Sequence, residues 1–368
     1  MTGLRLLADD LTGALDTAAE LVGVTGPVHA FWHGAIPSVL PPNAALDSGT
    51  RELDAASAVS VISRLTPELN GAAIPFKKID SLMRGATLAE AAACLRVGRW
   101  ERGILAPAFP YQGRITRGGV QHMRDHAGQW SPIGSYIVAA LRKQGATAQA
   151  GRLDAPLPPG ISVFDAETDE ELSRIAALGR TAGPLLWIGT GGLAQALAGG
   201  SSGRAEAPLA LPVLGLFGSD QQVTARQLTA CDSDWVRLRV GGPDEVAVIA
   251  GRLRATGRVV VSLELPHGLS RDEAARRIAA ELHNLVHGLA PPGTLLVAGG
   301  ETLRGLCLSL EARSLEVQGR IVPGLPRSVL RGGAWDGVTV VSKSGAFGHP
   351  NLLRDLLRGD LVSSERTR

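Results

Sequence analysis

Apolar residues along this chain come in short, dense runs separated by longer segments of helical spacing. The runs include "LRLLA" (4–8), "AIPFKK" (73–78), "GILAPA" (103–108), "ISVFDA" (161–166) and "LLWIG" (185–189). Later come "VLGLFG" (213–218), "VVVSLEL" (259–265), "TLLVAG" (294–299) and "GVTVVSK" (337–343). Runs apolar on both faces predict strands of a mostly parallel sheet covered by helices. The segments between have readable starts. Thr87 and Glu90 read as a T-x-x-E capping box ahead of Leu88, Ala92 and Leu95, which share one helical face. Thr168 with Glu171, and Ser270 with Glu273, repeat the signature. Strand, capped helix, strand is the α/β pattern, and α/β is the fold class expected.

A length of 368 residues suggests two domains. The stretch "AGGSSGRAEAPLALP" (198–212) is Gly/Ser-rich, then Ala/Pro-rich, and lacks periodicity, as linkers do. The domains expected are therefore residues 1–205 and 206–368. A plain surface loop is the competing reading of that stretch.

Composition narrows the function. The apolar fraction is 45% and the aromatic fraction 4%, so the core must be mostly Leu, Val, Ile and Ala. Net charge is +2 without long runs of one sign, which argues against a nucleic-acid-binding surface. The 46 glycines are scattered and read as tight turns. Cys94, Cys231 and Cys307 are far apart and form no CxxC pair, so neither a disulfide framework nor a structural zinc site is expected. "MTGLRLLADD" meets two aspartates before a signal-peptide apolar region could form, and no apolar run has transmembrane length. The expectation is a cytoplasmic protein with no membrane partner.

In open parallel sheets, ligands bind beyond the carboxyl ends of the strands. The first such place is "LLADDLTGALDTA" (6–18), where a strand delivers Asp9 and Asp10 to a helix start. Paired carboxylates there can ligate magnesium, accept a hydroxyl proton or bind sugar hydroxyls. Alternatively one caps the helix and the other is solvated. The second place is "FKKIDSLMRG" (76–85). The chain has only four lysines, Lys77, Lys78, Lys143 and Lys343, and two of them stand here. Lysine suits a carboxylate or phosphate approached from one side. Asp80, Ser81 and Arg84 follow, adding an acid, a hydroxyl and a fork for a small polyhydroxy anion. A solvated edge-strand lysine pair is the alternative, with Lys77 its better candidate, because strand neighbours face opposite ways. Arg51 stands at another strand-to-helix junction and could clamp a carboxylate. "APAFPYQGRITRGG" (106–119) reads as a site-covering loop too rich in Pro, Gly and Arg for a regular element, with Gly113 and Arg114 at its head.

The C-terminal half carries three glycine-bearing turns: Gly218-Ser219, then Gly299-Gly300-Glu301-Thr302, then Lys343-Ser344-Gly345. Glycines let backbone approach a phosphate, and a helix N-terminus favours its charge. Neither the Walker pattern nor a GxGxxG fingerprint is present, yet three such turns at strand ends point to a nucleotide site. "IGTGGLAQAL" (188–197) is a further glycine junction, read either as cleft lining or as close helix–strand packing. The absence of GxSxG leaves a serine hydrolase without support.

Together these segments resemble the four-carbon acid sugar kinases, which phosphorylate threonate, erythronate and 3-oxo-tetronates at the expense of ATP. The likeness runs in order through "ADDLTGALDTA", "DSGTRELDAASA", "FKKIDSLMRG", "APAFPYQGRITRGG", "IGTGGLAQAL", "FGSDQQVTARQL", "AGGETLRGL" and "SKSGAFG". The resemblance implies an N-terminal sugar-acid domain, a C-terminal ATP domain and an active site in the cleft between them. It implies substrate contacts at Asp9, Asp10, Arg51, Lys78, Ile79, Asp80 and Ser81, and ATP contacts at Ser219, Gly299, Gly300, Glu301, Thr302 and Gly345; Arg84 and Lys343 join the two sets from their own place in these turns. Arg51 and Lys78 would hold the substrate carboxylate, Asp10 or Asp80 would take the hydroxyl proton, and Mg²⁺ would bridge the phosphates; no metal ligand is assigned. The chain departs from the family at "KIDSLMRGA", where threonine, leucine and asparagine are usual, and at "GSDQ", where glycine-serine-cysteine-serine is usual. The second change sets Asp220 beside the expected nucleotide. A non-catalytic protein that binds sugar acid or nucleotide, and a kinase for another small sugar acid, are the alternatives. A homo-oligomer is compatible with the sequence.

Overall fold

The computed structural model describes residues 2–362 apart from 126, 202, 204–207, 219–220 and 267. The chain divides into two compact units, residues 1–203 and 204–368. Both are α/β.

In the first unit, β1 (Thr2–Ala8), α1 (Leu11–Thr25), β2 (Val28–Phe31), β3 (Ala44–Asp47), α2 (Ala55–Leu65), β4 (Ala72–Lys78), α3 (Thr87–Val97) and β5 (Arg102–Ala106) follow one another. Next come β6 (Arg114–Arg117), β7 (Val120–Arg124), β8 (Trp130–Ile133), α4 (Ile137–Lys143), β9 (Ala148–Ala150), β10 (Gly160–Val163), α5 (Asp169–Thr181), β11 (Leu186–Gly189) and α6 (Gly191–Ala198). The main sheet runs β2-β3-β1-β4-β11-β5-β10-β9 with parallel pairing. From β1 the chain turns towards β3 and β2; from β4 it turns towards β5. Right-handed crossovers then put the following helices on opposite faces. Accordingly α1 and α5 pack on α6, while α2 packs on α3 and α3 on α4. The β1/β4 junction is thus a topological switch point, where a crevice opens beyond the strand ends.

Two local expectations and one alternative reading are corrected. The 106–119 segment is not an irregular loop throughout: β6, β7 and β8 form an antiparallel sheet from residue 114 on. Gly118 and Gly119, at φ +59° and +71°, supply the two left-handed residues of a tight hairpin turn. Thr87 does not cap α3; Ala86 is the N-cap residue, and the Thr87 hydroxyl donates to the Arg84 carbonyl at 2.7 Å. Lys77 is not solvated, because β4 is an interior strand and its ammonium is buried against Glu90 at 2.8 Å. The boxes at Thr168/Glu171 and Ser270/Glu273 form as expected.

In the second unit, β12 (Val213–Phe217), α7 (Gln222–Thr229), β13 (Trp235–Leu238), α8 (Pro243–Thr256), β14 (Arg258–Leu263) and α9 (Arg271–Gly288) come first. They lead to β15 (Thr294–Ala298), α10 (Gly300–Ser309), β16 (Ser314–Arg320), β17 (Pro326–Arg331), β18 (Thr339–Lys343) and α11 (Leu352–Arg358). The strand order is β13-β14-β12-β15-β18-β17-β16, parallel up to β18 and antiparallel beyond. Here α8 and α10 pack on α9, and α7 packs on α11. The switch point lies between β12 and β15. Among the described residues no helix is long and apolar enough to cross a membrane.

Candidate active site

The first crevice gathers the predicted cluster at one row of strand ends. Residues Leu7 and Lys77 are register partners across β1 and β4, so Asp9 and Ile79 leave the sheet side by side. Ala8 and Asp47 are partners across β1 and β3, which brings the loop bearing Arg51 to the same edge. That loop is tied down by its backbone: the amides of Thr50 and Arg51 both donate to the Asp9 carbonyl, at 3.1 and 3.2 Å.

The Arg51 guanidinium is the hub. Its Nε donates to Asp9 Oδ2, and its Nη2 donates to Asp9 Oδ1 at 2.8 Å and Asp10 Oδ1 at 2.9 Å. Its Nη1 lies 3.6 Å from Asp80 Oδ1. Arg84 grips Asp80 as a fork, Nε to Oδ2 at 2.9 Å and Nη2 to Oδ1 at 2.8 Å. The amides of Leu82 and Arg84 also donate to Asp80 Oδ2. Burial works to raise the Asp80 pKa, but the Arg84 hydrogen bonds and the charges of Arg51, Arg84 and Lys78 hold it well below the usual range. At Asp9, burial is again outweighed by Arg51, then Lys78 and Lys77, and the carboxyl stays low.

Asp10 does cap its helix. Its Oδ1 accepts from the Gly13 amide at 2.8 Å and its Oδ2 from the Thr12 hydroxyl at 2.7 Å. It is also the most open of the three acids, with 26% of its side chain exposed against 5% for Asp9 and 7% for Asp80. Lys78 donates to the Ile79 carbonyl at 2.7 Å, and its ammonium crowds Gly13: a Cβ there would sit 3.2 Å from Nζ and 2.6 Å from Asp10 Oδ1. Gly13 is therefore what lets the Lys78 ammonium lie beside Asp10. Ile79 is buried, its amide bonded to the Gly189 carbonyl at 2.9 Å. Ser81 presents its carbonyl to Gln121 Nε2 at 3.1 Å. Gly85, at φ +70°, lets the two loops touch; a Cβ there would lie 2.7 Å from the Arg51 carbonyl.

Sequence reasoning missed several supports. Glu90 neutralises Lys77, whose ammonium also donates to the Lys78 carbonyl at 2.9 Å. Gln121 bridges the Ser81 and Pro107 carbonyls while accepting from Thr116 at 2.8 Å, pinning the small sheet to the Asp80 loop. Asp16, on α1, has a buried Oδ1 without a hydrogen-bond partner; burial pushes its pKa up to about 7. The glycines of 188–197 serve packing. A Cβ on Gly192 would meet the Ala108 carbonyl at 2.5 Å, and one on Gly189 the Ala106 carbonyl at 2.8 Å.

In the second unit the three glycine turns form one row, because Phe217, Ala298 and Lys343 are register partners across β12, β15 and β18. Gly299 holds φ +95°, and its amide donates to the Lys343 carbonyl at 2.9 Å. Gly300 opens α10, whose first amides have no intrahelical acceptor. A Cβ on Gly218 would meet Thr302 Oγ1 at 2.8 Å and Ile278 Cγ2 at 2.6 Å. Glu301 is exposed and pairs with Arg304 at 2.8 Å. Lys343 is buried; its ammonium donates to Thr224 Oγ1 at 3.1 Å and to the Ser344, Gly345 and Phe347 carbonyls at 3.0 to 3.4 Å. Burial lowers its pKa to about 8. Ser219 and Asp220 lie outside the described residues.

Among the described residues no group of three or more His, Cys, Asp and Glu could hold a metal ion. The i,i+4 pair His283 and His287 on α9 turns both rings to Ser309. The three cysteines are free and buried.

Two family models match the chain. Residues 4–134 match the family model described as a sugar-binding N-terminal domain, and residues 193–353 the one described as a nucleotide-binding C-terminal domain. A D-threonate kinase of Cupriavidus necator is 32% identical over 74% of this chain and 76% of its own. The D-threonate kinase of Bordetella bronchiseptica is 29% identical over 95% of both chains, and the D-erythronate kinase of Heliobacterium modesticaldum 26% over 95% of both. A crystal structure from Salmonella typhimurium LT2 shares the fold at a TM-score of 0.73 and 20% identity, covering 97% of this chain and 99% of that one. The chain is a phosphotransferase that belongs to the four-carbon acid sugar kinase family.

Proposed function

We propose that this protein transfers the γ-phosphoryl group of ATP to the terminal (4-) hydroxyl of a four-carbon sugar acid: threonate, erythronate or a 3-oxo-tetronate. The observation that carries this reading is the convergence of Asp9, Asp10, Arg51, Lys78, Asp80 and Arg84 at the β1/β4 switch point. The names of the relatives supply the substrate class.

In this reading the first unit takes the sugar acid and the second the nucleotide. Asp10 is the base: it is the most open acid, and its alignment is set by the Gly13 amide, Thr12 and Arg51. Asp80 is saturated by Arg84 and two amides, so it positions rather than accepts. The hydroxyl oxygen forms its bond to phosphorus as the bond to the ADP oxygen breaks, and Asp10 takes the proton. Lys78, beside Asp10, meets the negative charge of the reacting end. On the nucleotide side, the amides of Gly300, Glu301 and Thr302 that open α10, together with Gly345, face the phosphates, and Lys343 holds the 344–347 turn in place. Described residues form no protein cage for Mg²⁺, so the ion is assigned to the phosphates of the nucleotide and no step is routed through it.

The test is ADP release with ATP and Mg²⁺ against threonates, erythronates and 3-oxo-tetronates. Turnover with none of them sinks the reading. Asp10→Asn should lower kcat by about 100-fold or more with the best substrate; wild-type kcat in that variant removes Asp10 as the base.

A further inference from the structure

Arg114 opens β6 at the edge of the small antiparallel sheet, directly after Gly113, whose φ of +66° turns the chain back. Its Nη1 is spent on two backbone carbonyls, Gln112 at 2.7 Å and Gly113 at 3.1 Å. Its Nε is buried and has no hydrogen-bond partner. No carboxylate lies within ion-pair distance of it among the described residues, although Asp80 and Arg84 are its charged neighbours. A buried guanidinium nitrogen left unpaired is costly, and the arrangement persists where something else satisfies it.

The edge without a hydrogen bond is the Nε/Nη2 side, the face of the fork that can donate to two oxygens of a planar carboxylate at once. The other cations of the crevice are differently committed. Arg51 is taken up by Asp9 and Asp10, and Arg84 by Asp80. Lys78 lies beside Asp10, at the reacting end. Gln121, on the strand paired with β6, bolts the sheet to the Ser81 carbonyl, so Arg114 is held at a fixed place near the Asp80 loop.

We propose that Arg114 is the specificity-determining carboxylate clamp of the site, taking the acid end of the sugar acid while its far hydroxyl lies at Asp10 and Lys78. This inference rests on the proposed function above.

The test is calorimetric binding, in the absence of nucleotide, of D-threonate, D-erythronate and the corresponding neutral tetritols to the wild-type chain, Arg114→Gln and Arg114→Lys. The wild type should prefer the acids. Arg114→Gln should weaken the acids by about tenfold to a hundredfold, the range for hydrogen bonds to charged groups, and leave the tetritols unchanged. Arg114→Lys, which keeps the charge but loses the fork, should recover only part of the loss. Wild-type binding of acids with no loss in either folded variant overturns the clamp alone. Equal loss of acids and tetritols overturns it too, by showing a structural role. A wild type that binds no tetronate overturns both the clamp and the proposed function.

Discussion

Replacing Lys77 by methionine tests whether the two adjacent lysines do different work. The Lys77 ammonium is buried 2.8 Å from an equally buried Glu90, on an interior strand. Burial works to lower the Lys77 pKa, but Glu90 and Asp9 outweigh it and the group stays charged. Lys77→Met removes one partner and strands the Glu90 carboxylate without water or counter-charge. Breaking a buried pair in this way costs about 3–5 kcal/mol. In a domain of this size each kcal/mol moves the midpoint by about 2–4 °C, so a drop of about 6–20 °C is expected. Lys77→Met with Glu90→Leu restores a matched apolar pair and should regain most of that loss, since such replacements are often neutral or stabilising. Thermal melts of the two single variants and the double variant complete the cycle. The tetronate KM should change little at temperatures where the variants are folded. A single-variant cost under about 1 kcal/mol, or a double variant as unstable as the worse single, would show that the pair is not the buried unit inferred here.

Three further outcomes follow from close contacts and burial. Gly13→Ala drives a Cβ into Asp10 Oδ1 and Lys78 Nζ, and should lower kcat/KM for the sugar acid about tenfold or more without moving the nucleotide KM; unchanged steady-state kinetics would refute the crowding. Gly218→Ala pushes on Ile278 and Thr302, and should raise the nucleotide KM while sparing the sugar-acid KM. Asp16 is raised by burial, opposed by Lys78 and assisted by Asp10 and Glu20, from the ordinary 3.8 to about 7. Its folded pKa exceeds its unfolded one, so its contribution to stability is lost as pH rises from about 4 to about 7. Asp16→Asn should therefore stabilise by up to about 4 kcal/mol at pH 8 and clearly less at pH 5, read from urea midpoints at the two pH values; a gain independent of pH would contradict the assignment.

Most of this architecture is legible in the sequence where burial is two-sided. Runs such as "TLLVAG" and "VVVSLEL" become β15 and β14 because a sheet covered on both faces tolerates little else. Shorter strands escape notice. "VHAF" and "AALD" are four-residue β2 and β3, and β16 "SLEVQGR" and β17 "PRSVLR" carry charges along their length. The Gly-Gly turn between "RITR" and "VQHMR" was a readable hairpin signal, masked by the density of Pro, Gly and Arg around it. At the site, residue identity is legible because parallel strands deposit their last residues along one edge. Partnership is not. That Arg51 embraces Asp9 and Asp10 depends on the register of β1 against β3, which no local spacing reveals. Glu90 sits where a capping box would place it, yet it turns inward to Lys77, a choice made by the sheet beneath it.

The contact between Gly85 and the Arg51 carbonyl has a consequence for re-engineering selectivity. With no room for a side chain between them, the turn after β4 and the turn after β3 are mechanically one piece. Grafting either from a relative with different sugar preference would import a shape cut to fit the other's original backbone. Useful chimeras would exchange 47–54 and 78–86 together, as a single cassette.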